Sequence, residues 1–241
     1  MSRKPFNWSM LDRENLYSMM YELKPFVVGR RLAIKTLQKL LSNHLKQHLP
    51  IRVRLKRDPT HDKGIVYIGG VYYADYDQEE YRQIEVNFSY RSTSFEIKLS
   101  DNRWDRMCKL FADTILHEIV HMRQYRTREF KQIPGYLSTA YYARDRKEQE
   151  YYGHKDEMGA FAFNIACELN DKFGDNFDAA KHYLDTNLSK RAKKTCWYKY
   201  MKTFDWNHTH PVIRSMKKKI VRNLPYAQLG KPFKTPDHLT Y

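Results

Sequence analysis

The sequence predicts an α+β fold in which a small, mostly antiparallel sheet packs on two apolar helices, followed by a basic helical extension. Three observations predict it. Short runs of alternating polarity cluster between residues 51 and 100. Two longer stretches, 104–125 and 155–169, carry apolar residues at helical spacing. Thirteen of the 43 Lys and Arg residues lie in the last fifty-three positions, against two acids there, Asp205 and Asp237.

The elements follow in order. Residues 30–48 form an amphipathic helix with Leu32, Leu37, Leu40, Leu41 and Leu45 on one side, ended by Pro50. Residues 51–55 alternate as a strand. Residues 64–76 read as two short strands meeting in a hairpin at Gly69-Gly70. Residues 83–90 put Ile84, Val86 and Phe88 on one face, and 94–100 do the same with Phe95, Ile97 and Leu99. The helix over 104–125 has no Gly or Pro, and Asp101 or Asn102 can cap it. Residues 126–153 are rich in Tyr and charge, with Pro134-Gly135 as a turn and Tyr141-Tyr142 on a short helix. The helix over 155–169 carries Met158, Phe161, Ile165 and Leu169, with Asp156 as its cap. Further helices follow at 175–186, 190–204 and 211–223, the last two basic. Two segments result: 1–188, a nearly charge-balanced body, and 189–241, which holds +11 of the formal net charge of +15.

At 241 residues, with 29% charged and 15% aromatic residues, the chain has a folded composition. No apolar run approaches a membrane span, and the N-terminal residues lack the apolar core of a secretory signal. Cys108, Cys167 and Cys196 are few and widely spaced, which suits a reducing compartment without disulfides and excludes a C-x-x-C metal site. The expected location is cytoplasmic.

Within the 104–125 helix stands His117-Glu118-Ile119-Val120-His121, an H-E-x-x-H motif. Residues four apart share a helix face about 6 Å apart along the axis, so two imidazoles can grip one zinc ion. Glu118 can then stand beside the metal and take a proton from the water it activates. A catalytic zinc site takes three protein ligands. The metzincin extension is absent, since Gln124 stands where its glycine would be needed. Glu157, in the first turn of the next apolar helix, is the candidate third ligand, favoured there by the helix dipole and with small Ala160 on its face. His154, three residues earlier, is the rival. Asp113, four residues before His117, reads either as an acceptor that orients an imidazole or as a solvent-facing helix charge.

HEIVHMRQY followed by DEMGAFAFNIA resembles the gluzincin-type zincins. The arrangement is similar in plan to ImmA/IrrE-like and minigluzincin metallopeptidases and to phage-encoded H-E-x-x-H proteins, over roughly residues 30–170. The resemblance implies a zincin-like fold, Zn2+ as cofactor, His117, His121 and Glu157 as ligands, Ala160 as the alanine of an E-x-x-A pattern, and Glu118 as catalytic base. It also implies a phage or prokaryotic setting, in host cytoplasm or virion. The spacing from His121 to Glu157 is longer than in compact members of the group.

The reaction so implied is peptide-bond hydrolysis on a peptide or protein substrate, with Glu118 passing the water's proton to the leaving amine. Tyr152, Tyr151, Tyr142 and His154 are candidate donors to the oxyanion, with Tyr152 foremost. The strand at 95–99 is a candidate edge for an extended substrate. In the basic segment, lysines interleave with Trp197, Tyr198, Tyr200, Phe204 and Trp206, a pattern that suits nucleic acid or an acidic protein surface. His208 and His210 form a second, exposed histidine pair. The alternative reading is a binding or structural protein of the same fold, a virion component or nucleic-acid-associated protein, acting through residues 189–241.

Overall fold

The computed structural model describes residues 6–61, 66–74, 84–91, 96–186 and 195–227. The fold is α+β and mostly helical, with a small mixed sheet. By packing, the chain divides into two compact units, Met1–Met122 and Arg123–Tyr241. The charge boundary at 188/189 lies outside the described residues.

In the first unit, α1 (Arg13–Tyr21) is capped by the Asp12 carboxylate, which accepts from the Asn15 amide at 2.7 Å. A single turn, α2 (Lys24–Val27), leads into β1 (Arg31–Ala33) and α3 (Ile34–His48). The helix expected from residue 30 therefore starts four residues later, because Arg31, Leu32 and Ala33 pair with β5 (Glu96–Lys98). Leu37, Leu41 and Leu45 of α3 are fully buried, as their spacing predicts.

The main sheet has the order β2-β4-β3: β2 (Ile51–Arg57) runs parallel to β4 (Ile84–Tyr90), and β3 (Val66–Tyr72) antiparallel to it. Because β4 is central, both of its edges are paired. Ile84, Val86 and Phe88 are buried on one side, and Glu85 is buried on the other, in an ion pair with Arg54, Nε to Oε2 at 2.8 Å. The expected hairpin at Gly69-Gly70 is not formed. Instead β3 passes straight through both glycines, with Gly69 opposite Asn87 and Gly70 opposite Val86.

Helix α4 (Asp101–Thr127) is longer than its apolar pattern, and the boundary between the units falls inside it. Asp101 lies in its first turn rather than before it, and the Ser100 carbonyl accepts the Trp104 amide at 2.9 Å. Trp104, Phe111, Ile115, Leu116 and Ile119 are fully buried, and the Phe111 ring stacks at 6.4 Å from Phe88 of the sheet. The helix stops where Glu129 and Phe130 turn left-handed (φ 53° and 61°), the Phe130 amide reaching back to the Tyr125 carbonyl.

In the second unit, residues 131–140 have no regular structure, so Pro134-Gly135 is part of an irregular run rather than a defined turn. Then come α5 (Ala143–Gly153), α6 (Lys155–Phe173), α7 (Phe177–Asp185), α8 (Cys196–Thr203) and α9 (Pro211–Asn223). Helix α6 is the axis of this unit. Its Ala160, Ala162, Phe163, Ile165 and Ala166 are buried, and α9 packs along it with Ile213, Met216 and Ile220. Helix α8 packs on α5 and α6. The helices of the basic segment thus supply core to this unit, with Trp197, Tyr200 and Met201 all buried. Among the described residues, no helix is long and apolar enough to cross a membrane.

Candidate metal centre

The second half of α4 carries the motif. His117 and Glu118 are buried, at 8% and 5% exposure, although both are polar. Such burial is costly unless the groups are engaged. The Nε2 atoms of His117 and His121 lie 3.1 Å apart, with ring centroids at 4.8 Å. Two nitrogens bound to one zinc at ~2.0–2.1 Å would be separated by roughly 3.3 Å at a tetrahedral angle. The pair is therefore spaced as two donors to a single ion, and equally as one donor and one acceptor of a hydrogen bond.

Glu118 is held against the sheet. A Cβ on Gly70 of β3 would stand 2.5 Å from Glu118 Oε1, 2.6 Å from its Cγ and 2.8 Å from Thr114 Cγ2. Only a residue without a side chain lets the strand approach the Glu118 carboxylate this closely. The sequence carried this signal in a glycine inside an alternating strand, but the neighbouring Gly69 made the pair look like a turn.

At the start of α6 the capping differs from expectation. His154, not Asp156, is the N-cap, with its Nδ1 accepting from the Asp156 amide at 3.3 Å. Asp156 instead takes a bidentate ion pair from Arg128, at 2.7 Å on both arms, with both side chains buried. Gln124 Nε2 donates to the Asp156 carbonyl at 3.2 Å. Two residues near the end of α4 thereby grip the residue that precedes Glu157. Sequence reasoning missed this clamp, since nothing in the spacing links position 128 to position 156.

His117 and His121, on α4 in the first unit, each offer an imidazole nitrogen, and Glu157, in the first turn of α6 in the second unit, offers a carboxylate. Two imidazole nitrogens and a carboxylate oxygen are a donor set that suits zinc. His154 is occupied with capping α6. Asp113 is neither solvent-facing nor ordinary: Arg13 of α1 donates to it through Nε at 2.6 Å and Nη2 at 3.2 Å.

The tyrosine candidates separate clearly. Tyr141 and Tyr142 are largely exposed, ahead of α5. Tyr151 is half exposed. Tyr152 packs into an aromatic cluster, 5.4 Å from the Phe161 ring and 5.0 Å from Tyr200. Burial, then the negative charges nearby, Glu157 among them, push its hydroxyl pKa above the ordinary tyrosine value. Tyr200 is fully buried, and its hydroxyl is raised further, by burial first and then by Glu157. Its role beside Glu157 was not visible in a sequence with nineteen tyrosines.

The HTHP pair is not a metal site in this structure. His210 caps α9, its Nδ1 accepting from the Val212 amide at 3.2 Å, and His208 Nδ1 lies 3.0 Å from Lys217 Nζ. Of the strand expected at 95–99, Phe95 lies outside the described residues, and β5 pairs with β1. The outer strand nearest Glu118 is β3.

No protein-family model matches this chain. No curated protein and no solved structure matches it either.

Proposed function

We propose that the chain is a zinc-dependent metallopeptidase of gluzincin type with a zincin-like fold. The observation that carries this reading is the pair of Nε2 atoms of His117 and His121, 3.1 Å apart on α4, with Glu118 buried beside them; Glu157 is the proposed third ligand. A scaffold that only stored metal would need the three ligands. It would not need a carboxylate held in place by a glycine strand. Zn2+ on these three ligands would supply Lewis acidity and a water that is acidic near neutral pH.

The chain's own groups account for the rest. Glu118 accepts the proton of the attacking water and delivers it to the leaving amine. Tyr152 is the proposed hydrogen-bond donor to the oxyanion. An extended peptide or protein substrate pairs with the outer edge of β3 and so runs past Glu118. The site of action is the cytoplasm, or the virion if the chain is phage-encoded.

Hydrolysis of an unstructured protein such as casein, followed with zinc content in parallel, tests the reading. Glu118→Gln should lower turnover by about 10²-fold or more while keeping zinc. Unchanged turnover in that variant would overturn it.

One observation favours a second reading, a nucleic-acid-associated protein. A cavity of about 490 Å³ between α5 and α8 is lined by Lys147, Lys199 and Lys202, with Glu148, Tyr151, Tyr152 and Thr203. Cations beside the half-exposed Tyr151 suit phosphate contact and base stacking, and would also accept an acidic protein surface. Under this reading, Lys199→Glu with Lys202→Glu weakens binding of a single-stranded oligonucleotide and flattens its salt dependence. Binding that ignores both charge reversals rejects it.

A further inference from the structure

We propose a second zinc site, formed by Glu22, His44 and His48 where the end of α1 meets the last turns of α3. It is independent of the centre on α4. His44 and His48 are four apart on α3, with ring centroids 5.0 Å apart, close to the 4.8 Å of His117 and His121. Glu22, the C-cap of α1, brings Oε2 to 3.5 Å from His44 Nε2. One ligand atom from each of the three residues lies within 4.8 Å of the others. The Met19 carbonyl, from the last turn of α1, reaches the same His44 nitrogen at 2.7 Å.

A hydrogen bond from His44 to Met19 explains His44 by itself. It does not explain why an exposed histidine and an exposed glutamate, from different elements, gather around His44. One bound ion explains all three. The separation of 3.5 Å between Glu22 Oε2 and His44 Nε2 is near the roughly 3.3 Å expected between two zinc ligands. Binding takes the Nε2 lone pair of His44, moves the ring proton to Nδ1, and replaces the hydrogen bond to the Met19 carbonyl. A cavity of about 300 Å³ borders His44, lined by Leu23, Phe26, Asn43 and Gln47 among others, with room for a water ligand. Two imidazoles select a borderline transition ion, zinc foremost, over magnesium or calcium. Such an ion would clamp the end of α1 to α3.

The experiment uses the full chain without a histidine tag, stripped with a chelator and titrated with Zn2+, and with Co2+ for its visible absorption. The wild type should take up two equivalents. His48→Gln and Glu22→Gln, both at exposed positions, should each lose one and keep the other. His121→Ala should lose only the centre on α4. A second equivalent that survives both His48→Gln and Glu22→Gln overturns the proposal, as does a wild type with one equivalent that those variants leave untouched. A single equivalent lost in His48→Gln and kept in His121→Ala supports this site and overturns the metallopeptidase reading.

Discussion

At the scale of single residues, Gly70 decides how Glu118 stands. Adding one methyl group there puts a Cβ at 2.5–2.8 Å from two side chains of α4, so the strand or the carboxylate must move. Gly70→Ala should cost about 1–3 kcal/mol of stability, an overpacking penalty. It should also lower peptide hydrolysis while zinc uptake stays at the wild-type level. Denaturant unfolding and metal content, measured on the same preparation, check both. Cys108 offers a second test. Burial, with the Asp105 charge adding to it, pushes its thiol up to about 12, so it is a thiol and not a thiolate at pH 8. In the native protein Cys108 should resist a thiol reagent that labels it at once after unfolding. That His117 and His121 stand side by side was legible beforehand, because residues four apart share a helix face. What was not legible depended on partners distant in sequence, such as Arg13 on Asp113 and Arg128 on Asp156.

At the scale of elements, the two helices that carry the candidate ligands were readable because their apolar positions recur with the helical period. Helix α4 nevertheless runs beyond its apolar stripe at both ends, and α6 begins with a histidine cap where an aspartate was expected. The reason is a competition. Asp156 is more useful to Arg128, where it forms two charge-assisted bonds away from water, than to the amides of its own helix. Arg128→Met removes that bidentate partner from a buried carboxylate and should destabilise the fold by about 3–5 kcal/mol. Because Asp156 adjoins Glu157, zinc affinity should also fall by roughly 10–100-fold. Zinc titration of Arg128→Met beside Arg128→Lys reads this effect: recovery by lysine would assign it to charge, and failure to recover would assign it to the two-armed geometry.

At the scale of the whole molecule, charge and packing divide the chain differently. By charge the last fifty-three residues stand apart, yet the described helices among them complete the core of the second unit. Tyr200 and Trp197 are buried, and α9 lies along α6. A basic composition marks the outer face of a helix, and the inner face was hidden in the same residues because one amphipathic pattern serves both. Truncation after residue 188 should therefore yield an insoluble or partly unfolded protein, seen as lost cooperativity in thermal melting. Charge reversal on the exposed lysines leaves that core intact and is the better probe of what the basic face binds.

The two glycines of β3 foretell different histories for neighbouring codons. At Gly69 a side chain would meet nothing within 4 Å, and a β-branched residue there would suit the strand. At Gly70 no side chain has room. Under random mutagenesis with selection for hydrolysis, position 69 should drift freely, even toward Thr or Val, while position 70 stays glycine. Two adjacent, chemically identical letters would then differ in their freedom to change because only one of them faces Glu118.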